Sequence, residues 1–255
     1  MKAAPFAYFR PSSLDAALAC LAERGEEARL LAGGQSLLPL LHMRLTHTQV
    51  LIDITRLDEL RGIQVEGDWL RIGALTQHEV ALQSPLVQRH APLLSQALPH
   101  VAHFAVRQRG TFGGSVALAD PSAEIPAVCL TLGAEFDIAS PEGHRRVAAE
   151  SFFLGPYTTI LAPDEILVAA YLPLADASDW FGFVEQSRRQ GDYAIVGVCC
   201  ALRQNRGEIE RARVGAFGIG GRPQLLVGVN AALEGAIALV EIVVRNGACL
   251  RALQC

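Results

Sequence analysis

The sequence predicts an α+β protein: an alternating helix–strand segment, then shorter mixed pieces, then an antiparallel sheet. Three observations carry this. Apolar residues at helical spacing alternate with short apolar runs up to about Thr55. From Arg56 the pieces shorten and prolines recur, at Pro85, Pro92 and Pro99. Beyond the polar stretch Ala175-Asp176-Ala177-Ser178-Asp179, three apolar-rich runs follow at hairpin spacing. The chain has 255 residues and is 51% apolar, enough to bury a sizeable core.

In order, Pro11-Ser12-Ser13-Leu14-Asp15 is a helix entry, and Leu14, Ala17, Leu18 and Leu21 recur on one face before Gly25. The run Leu30–Ala32 reads as a strand that stops at Gly33-Gly34. Ser36 is placed to cap the leucine-rich helix that follows. Val50–Ile54 reads as a buried strand, closing a βαβ-type unit. Trp69–Gly73 is the next strand, and Thr76 is expected to cap a helix ending near Ser84-Pro85. Only brief helical pieces fit between Leu86 and Leu98.

Ser122-Ala123-Glu124 opens a helix carrying Ile125, Val128, Cys129 and Leu132. Ala134–Ser140, Arg146–Ala149 and Ile166–Leu172 read as strands. The polar stretch is the natural boundary, giving a first domain at 1–177, with subdomains at about 1–55 and 56–177, and a second at 178–255. Trp180–Gln186, Tyr193–Leu202 and Arg213–Ile219 are its three strands, and Val229–Val244 is apolar enough for a helix that Gly235 weakens.

Composition excludes several functions. A formal charge of −4 leaves no basic reservoir for nucleic acid. Lys2 is the only lysine, so lysine base or Schiff-base chemistry has almost no candidate. The six cysteines show no C-x-x-C and no zinc or iron–sulfur spacing, and read as small apolar residues in a reducing compartment. No run approaches the roughly 20 apolar residues that span a bilayer, and the interrupted N-terminus does not read as a signal peptide. A cytoplasmic protein with no membrane span is expected.

Two glycine turns remain, each followed closely by serine: Ala32-Gly33-Gly34-Gln35-Ser36 and Gly110-Thr111-Phe112-Gly113-Gly114-Ser115. Glycine lets main-chain N–H groups converge, and converging N–H groups cradle a phosphate. Either turn alone is also what an ordinary turn looks like. Together, with the hydroxyls of Ser36, Thr111 and Ser115, they suit a pyrophosphate held from two sides by neutral donors. The chain has no G-x-x-x-x-G-K-[ST] and no G-x-G-x-x-G opening a βαβ unit, so P-loop and NAD-type readings fit poorly.

The stretch Ala32-Gly33-Gly34-Gln35-Ser36-Leu37-Leu38-Pro39, together with Arg107-x-Arg109-Gly110-Thr111-Phe112-Gly113-Gly114-Ser115-x-Ala117-x-Ala119-Asp120-Pro121, resembles the FAD-binding medium subunit of the molybdenum hydroxylases. That is the xanthine dehydrogenase and carbon monoxide dehydrogenase family. Arg188-Arg189-Gln190-Gly191-Asp192-Tyr193-Ala194 is similar to a third motif of that family, and the resemblance runs from about Pro5 to Pro223. It implies a vanillyl-alcohol-oxidase-type two-subdomain FAD-binding domain and a smaller C-terminal domain. After about residue 223 the chain reads as short or divergent relative to the family.

The resemblance also implies roles. Ala32, Gly33, Gly34, Gln35, Ser36 and Leu37 would cradle the FAD pyrophosphate, completed by Thr111, Gly114 and Ser115. Val101, Ala102 and His103 would lie near the flavin or its ribityl chain, and Asp120 and Glu124 would hold polar parts of the cofactor. Leu161 would meet the adenine end through its backbone, and Tyr193 the isoalloxazine face. Glu185 stands where many relatives have a lysine near the ring, and Gln35 where histidine is frequent. Arg107 and Arg109 would brace the loop rather than touch FAD.

Function follows as an expectation. The chain would carry electrons through FAD from iron–sulfur clusters on a small partner subunit. Those clusters would be fed by a molybdenum cofactor on a large one, and the acceptor would be NAD or a quinone-type carrier. A stand-alone FAD oxidase or dehydrogenase with the same flavin domain is the alternative, and a flavin-free structural protein a third. No catalytic side chain and no metal site on this chain are expected.

Overall fold

A computed structural model describes residues 2–237. The chain opens with strand β1 (Ala7–Phe9), helix α1 (Leu14–Arg24), strand β2 (Ala28–Leu31), helix α2 (Leu37–His42) and strand β3 (Val50–Asp53). Both outer strands pair parallel with β3, in the order β1-β3-β2. The expected βαβ unit is therefore present, with β1 added at one edge. Sequence reasoning missed β1 because three residues are too few for period-two alternation to register. Asp53 at the end of β3 anchors it, accepting from Tyr8 Oη and from the Arg10 guanidinium at 2.6 Å. Burial alone would raise the Asp53 carboxyl. Bonds from Thr55, Tyr8 and Arg10 outweigh that and hold it well below the usual carboxylate range.

The next region holds β4 (Ile63–Glu66), β5 (Trp69–Gly73), α3 (His78–Gln83), α4 (Pro85–His90), α5 (Pro92–Ala97), α6 (Phe104–Arg107), α7 (Phe112–Leu118) and α8 (Glu124–Leu132). It continues through β6 (Glu135–Ser140), β7 (Gly143–Ala148), α9 (Ala149–Phe152), the two-stranded β8 (Phe153–Gly155) and β9 (Thr158–Thr159), and β10 (Ile166–Pro173). A five-stranded antiparallel sheet forms in the order β4-β5-β10-β6-β7. Strand β10 is central and buried along seven of its eight residues, as its uninterrupted apolar run requires. Thr76 does not cap α3: Gln77 holds that place, and Thr76 Oγ1 donates instead to the Gly62 carbonyl at 3.1 Å.

The last region is a four-stranded antiparallel sheet of β11 (Asp179–Ser187), β12 (Ala194–Asn205), β13 (Glu208–Phe217) and the two-residue β14 (Gln224–Leu225), with helix α10 (Val227–Leu233). The three expected strands are all there. The helix ends earlier than expected, before Gly235 at φ +80°, and the part of Val229–Val244 beyond Ile237 lies outside the described residues. On β11 the side chains alternate, so Phe181, Phe183 and Glu185 face inward while Trp180, Val184 and Gln186 face outward. On β12, Cys199 is buried and Cys200 is partly exposed on the opposite face. One continuous core joins α5, α7 and α8 to both antiparallel sheets, through Phe112, Phe136, Phe152, Cys199 and Phe217.

Candidate functional site

The two glycine turns meet. The first joins β2 to α2, and the second joins α6 to α7. A Cβ on Gly33 would fall 2.3 Å from the Arg109 carbonyl oxygen and 2.8 Å from Gly110 Cα, so only glycine lets the two backbones touch. Gly34 sits at φ +72°, where L side chains are strained.

The turns differ in what they leave free. In the second, nearly every amide is already committed. Gly110 N–H donates to Val106 O, Phe112 N–H to Thr76 O, Gly113 N–H to Ala74 O and Ser115 N–H to Thr111 O. Thr111 caps α7, its Oγ1 accepting from Gly114 N–H at 3.1 Å. In the first turn, the N–H groups of Gly34, Gln35 and Ser36 have no acceptor among the described residues. Ser36 holds the N-cap position of α2 without making the expected side-chain bond, because its backbone is already in the helical region at φ −102°, ψ −47°. Gln35 Nε2 donates to Gly33 O at 3.0 Å and pins the turn.

Between the turns lies a cleft of about 800 Å³. Its wall includes Ala32, Gly33, Gly34, Gln35, Ser36 and Leu37 from the first turn, and Thr111, Gly114 and Ser115 from the second. Val101, Ala102 and His103 line it ahead of α6. Asp120, Glu124 and Leu161 line it further along, and Tyr193 stands at its edge, 71% exposed. The Leu161 N–H is taken up by Thr159 Oγ1 at 3.3 Å.

Arg107 behaves as a brace: its guanidinium bonds Glu79 and the carbonyls of Val101 and Ala102, fixing Ala102 at φ +46°. The third motif packs against the same segment. A Cβ on Gly191, at φ +82°, would fall 2.5 Å from His103 Nδ1. Asp120 accepts from Ser122 N–H at 2.9 Å and from Tyr157 Oη at 3.2 Å.

Glu185 is the exception. It lies off the cleft, in a separate hollow of about 310 Å³ lined also by Pro99, His100 and Gly191. The inward face of β11 buries its side chain to 3% exposure, and Oε1 lies 3.4 Å from His100 Nδ1. That contact raises the His100 imidazole above its ordinary value.

Sequence reasoning missed other wall residues. His78 is 4% exposed. Burial, reinforced by the Arg107 charge, pushes it down to about 4, so it is the neutral imidazole behind the second turn. The His78 main-chain N–H donates to Gly110 O at 3.0 Å, while the ring Nδ1 has no hydrogen-bond partner among the described residues. Tyr157, in the tight β8–β9 turn, was missed because its partner Asp120 is 37 residues away.

Electrostatically the cleft is short of cations. The one arginine lining it among the described residues, Arg29, points its guanidinium at the carbonyls of Glu26 and Ala28. Burial, then the negative charges of Glu185 and Asp120, push the Glu124 carboxyl up to about 7. No cluster of metal-ligating side chains occurs among the described residues.

Free amides on one wall, hydroxyls on the other and no cationic clamp among the described residues suit an extended anionic nucleotide cofactor held through neutral donors. Comparison with known proteins gives the chain's kind. Residues 4–175 match the family model "FAD binding domain in molybdopterin dehydrogenase", and residues 182–251 match "CO dehydrogenase flavoprotein C-terminal domain". The second match runs past Pro223, through the stretch where the residue-level resemblance stops. The carbon monoxide dehydrogenase medium chain of Hydrogenophaga pseudoflava is 36% identical over 92% of this chain and 87% of its own length. The nicotine 6-hydroxylase medium subunit of Paenarthrobacter nicotinovorans is 35% identical over 92% and 82%.

Among solved structures, carbon monoxide dehydrogenase from Hydrogenophaga pseudoflava superposes with a TM-score of 0.91 at 37% identity, covering 93% of this chain and 83% of that one. Quinoline 2-oxidoreductase from Pseudomonas putida 86 gives 0.88 at 39%, covering 93% and 82%. The chain belongs to the family of FAD-binding medium subunits of the molybdenum hydroxylases, and is an oxidoreductase subunit of that kind.

Proposed function

We propose that the cleft holds FAD, with the pyrophosphate on the free amides of Gly34, Gln35 and Ser36 and facing the hydroxyls of Thr111 and Ser115. The observation that carries this reading is the Gly33 contact. It brings a wall of unpaired main-chain donors against a second turn whose own amides are spent, and an anion is the group such donors require. When bound, FAD supplies two-electron redox chemistry, and the protein supplies position and electrostatics. In this reading Val101, Ala102, His103 and Tyr193 flank the ring and ribityl chain, Asp120 and Glu124 hold polar groups, and Leu161 meets the adenine end. Glu185 acts from behind the wall.

The chain then works as the electron-transfer subunit of a larger enzyme. Electrons pass from a molybdenum cofactor on a large subunit, through iron–sulfur clusters on a small one, to FAD and on to NAD or a quinone-type acceptor. The likeness to medium subunits of multi-subunit enzymes over 92% of the chain supports this over a stand-alone oxidase. We further assign residues 1–177 to the FAD-binding domain, residues 178–255 to the C-terminal domain, and the complex to the cytoplasm. No helix among the described residues is long and apolar enough to cross a membrane. The test is affinity purification of the tagged chain from its native cells, with the visible spectrum recorded. A flavin spectrum with one large and one small cysteine-rich partner is expected. Turnover of a substrate by the chain alone would contradict the subunit reading.

A further inference from the structure

Between β9 and β10 the chain passes through residues 160–165 with no strand or helix, and Leu161 and Glu165 of this segment form part of the cleft wall. An ion pair fixes the segment. Arg145 stands on β7, the edge strand, and reaches across β6 to Glu165 at the entry to β10. Its Nε donates to Glu165 Oε1 at 2.7 Å and its Nη2 to Oε2 at 2.8 Å, a two-pronged fit that lysine could not make. The Glu165 side chain is only 9% exposed, and the bond from Arg145 outweighs that burial and holds its carboxyl below the ordinary value.

The same two side chains hold the backbone on both sides of Leu161. Arg145 Nη2 also donates, at 3.4 Å, to Ile160 O in the peptide unit before Leu161. Glu165 Oε2 accepts Ala162 N–H at 2.9 Å, in the unit after it. A trans peptide points its C=O opposite to its N–H, so this second bond turns the Leu161 carbonyl away from the Glu165 carboxylate. Both peptide planes flanking Leu161 are therefore set by one ion pair, and Arg145 itself stands outside the cleft wall.

We propose that Arg145 and Glu165 are positioning residues of the cofactor site, which hold Leu161 in place for the adenine end and so give the site its preference for FAD over FMN. The proposal rests on the FAD reading above, in which Leu161 meets the adenine end. A wall segment already ordered binds more tightly than one that must be ordered by its ligand, by about tenfold for each residue whose backbone would otherwise be free. FMN has the ring, the ribityl chain and one phosphate but no adenosine, so the pair gives it nothing.

The test is fluorescence titration of the flavin-free full chain with FAD and with FMN, alongside urea unfolding. In Arg145→Gln, FAD affinity should fall about tenfold, while FMN should bind the variant and the wild type alike. Unfolding should be nearly unchanged, because a half-exposed arginine contributes little to global stability. A merely structural role would instead move stability and both affinities together. Glu165→Gln should also weaken FAD, and adding Arg145→Gln to it should cost little more, since the two side chains act as one unit. An FAD affinity within about twofold of wild type in Arg145→Gln, a parallel loss of FMN or of stability, or independent losses in the double variant overturns the proposal and leaves the cofactor reading standing. A wild-type chain that binds no FAD overturns the cofactor reading and this role together.

Discussion

The two glycine turns look alike in sequence and do opposite work in the fold. The first keeps its amides unpaired and is fixed mainly from behind, by Gln35 on its own backbone and by Gly33 against the second turn. The second is sewn to the β5–α3 connection by the Phe112 and Gly113 amides, on the Thr76 and Ala74 carbonyls, and by the Gly110 carbonyl, which accepts the His78 main-chain N–H, and what remains for a ligand is hydroxyl. One turn is a donor surface and the other is its buttress. A free donor surface is costly unless a ligand or water satisfies it, so the asymmetry itself points to the side that receives the anion.

This division orders the expected effects. The largest belongs to Gly33→Val, whose side chain would drive into the Arg109 carbonyl and part the turns. FAD affinity should fall by at least about 100-fold, roughly 2.7 kcal/mol, in a fluorescence titration. Gly113→Ala follows. Its Cβ would lie 2.4 Å from Ala74 Cβ, inside the buttress, so stability should drop by about 1–3 kcal/mol in urea unfolding, with affinity per folded molecule little changed.

The buttress also carries the pH dependence. His78 is neutral when folded, with its value lowered from 6.5 to about 4. Between those values the unfolded chain binds the proton and the folded chain does not. Stability is therefore lost as pH falls from 6.5 towards about 4, and the loss approaches ~3 kcal/mol. In His78→Asn the curve should flatten over that range. The smallest effect is Ser115→Ala, which removes one neutral hydroxyl from the cleft and should weaken FAD about fivefold, near 1 kcal/mol, without altering stability.

Much of this was legible in the sequence, because glycine spacing, apolar periodicity and prolines act locally. The βαβ unit, the short proline-opened helices and the three long hairpin strands follow from such rules. What escaped was set by tertiary contact. No local signal places Thr76 on Gly62 rather than on a helix, or Tyr157 on Asp120. Glu185 was expected beside the ring, yet its alternation with Phe181 and Phe183 shows in the sequence and marks it as inward-facing. The unequal use of amides in the two turns depends on the Ala74 and Thr76 carbonyls, which nothing in the glycine pattern announces.

The central claim is that the first turn binds the cofactor and the second holds it in place. The most direct measurement is amide hydrogen exchange of the purified chain, resolved by residue, with and without FAD. New protection at Gly34, Gln35 and Ser36 is predicted, with Phe112, Gly113 and Gly114 protected in both states. Protection appearing instead at the second turn, with the first unchanged by FAD, would contradict it.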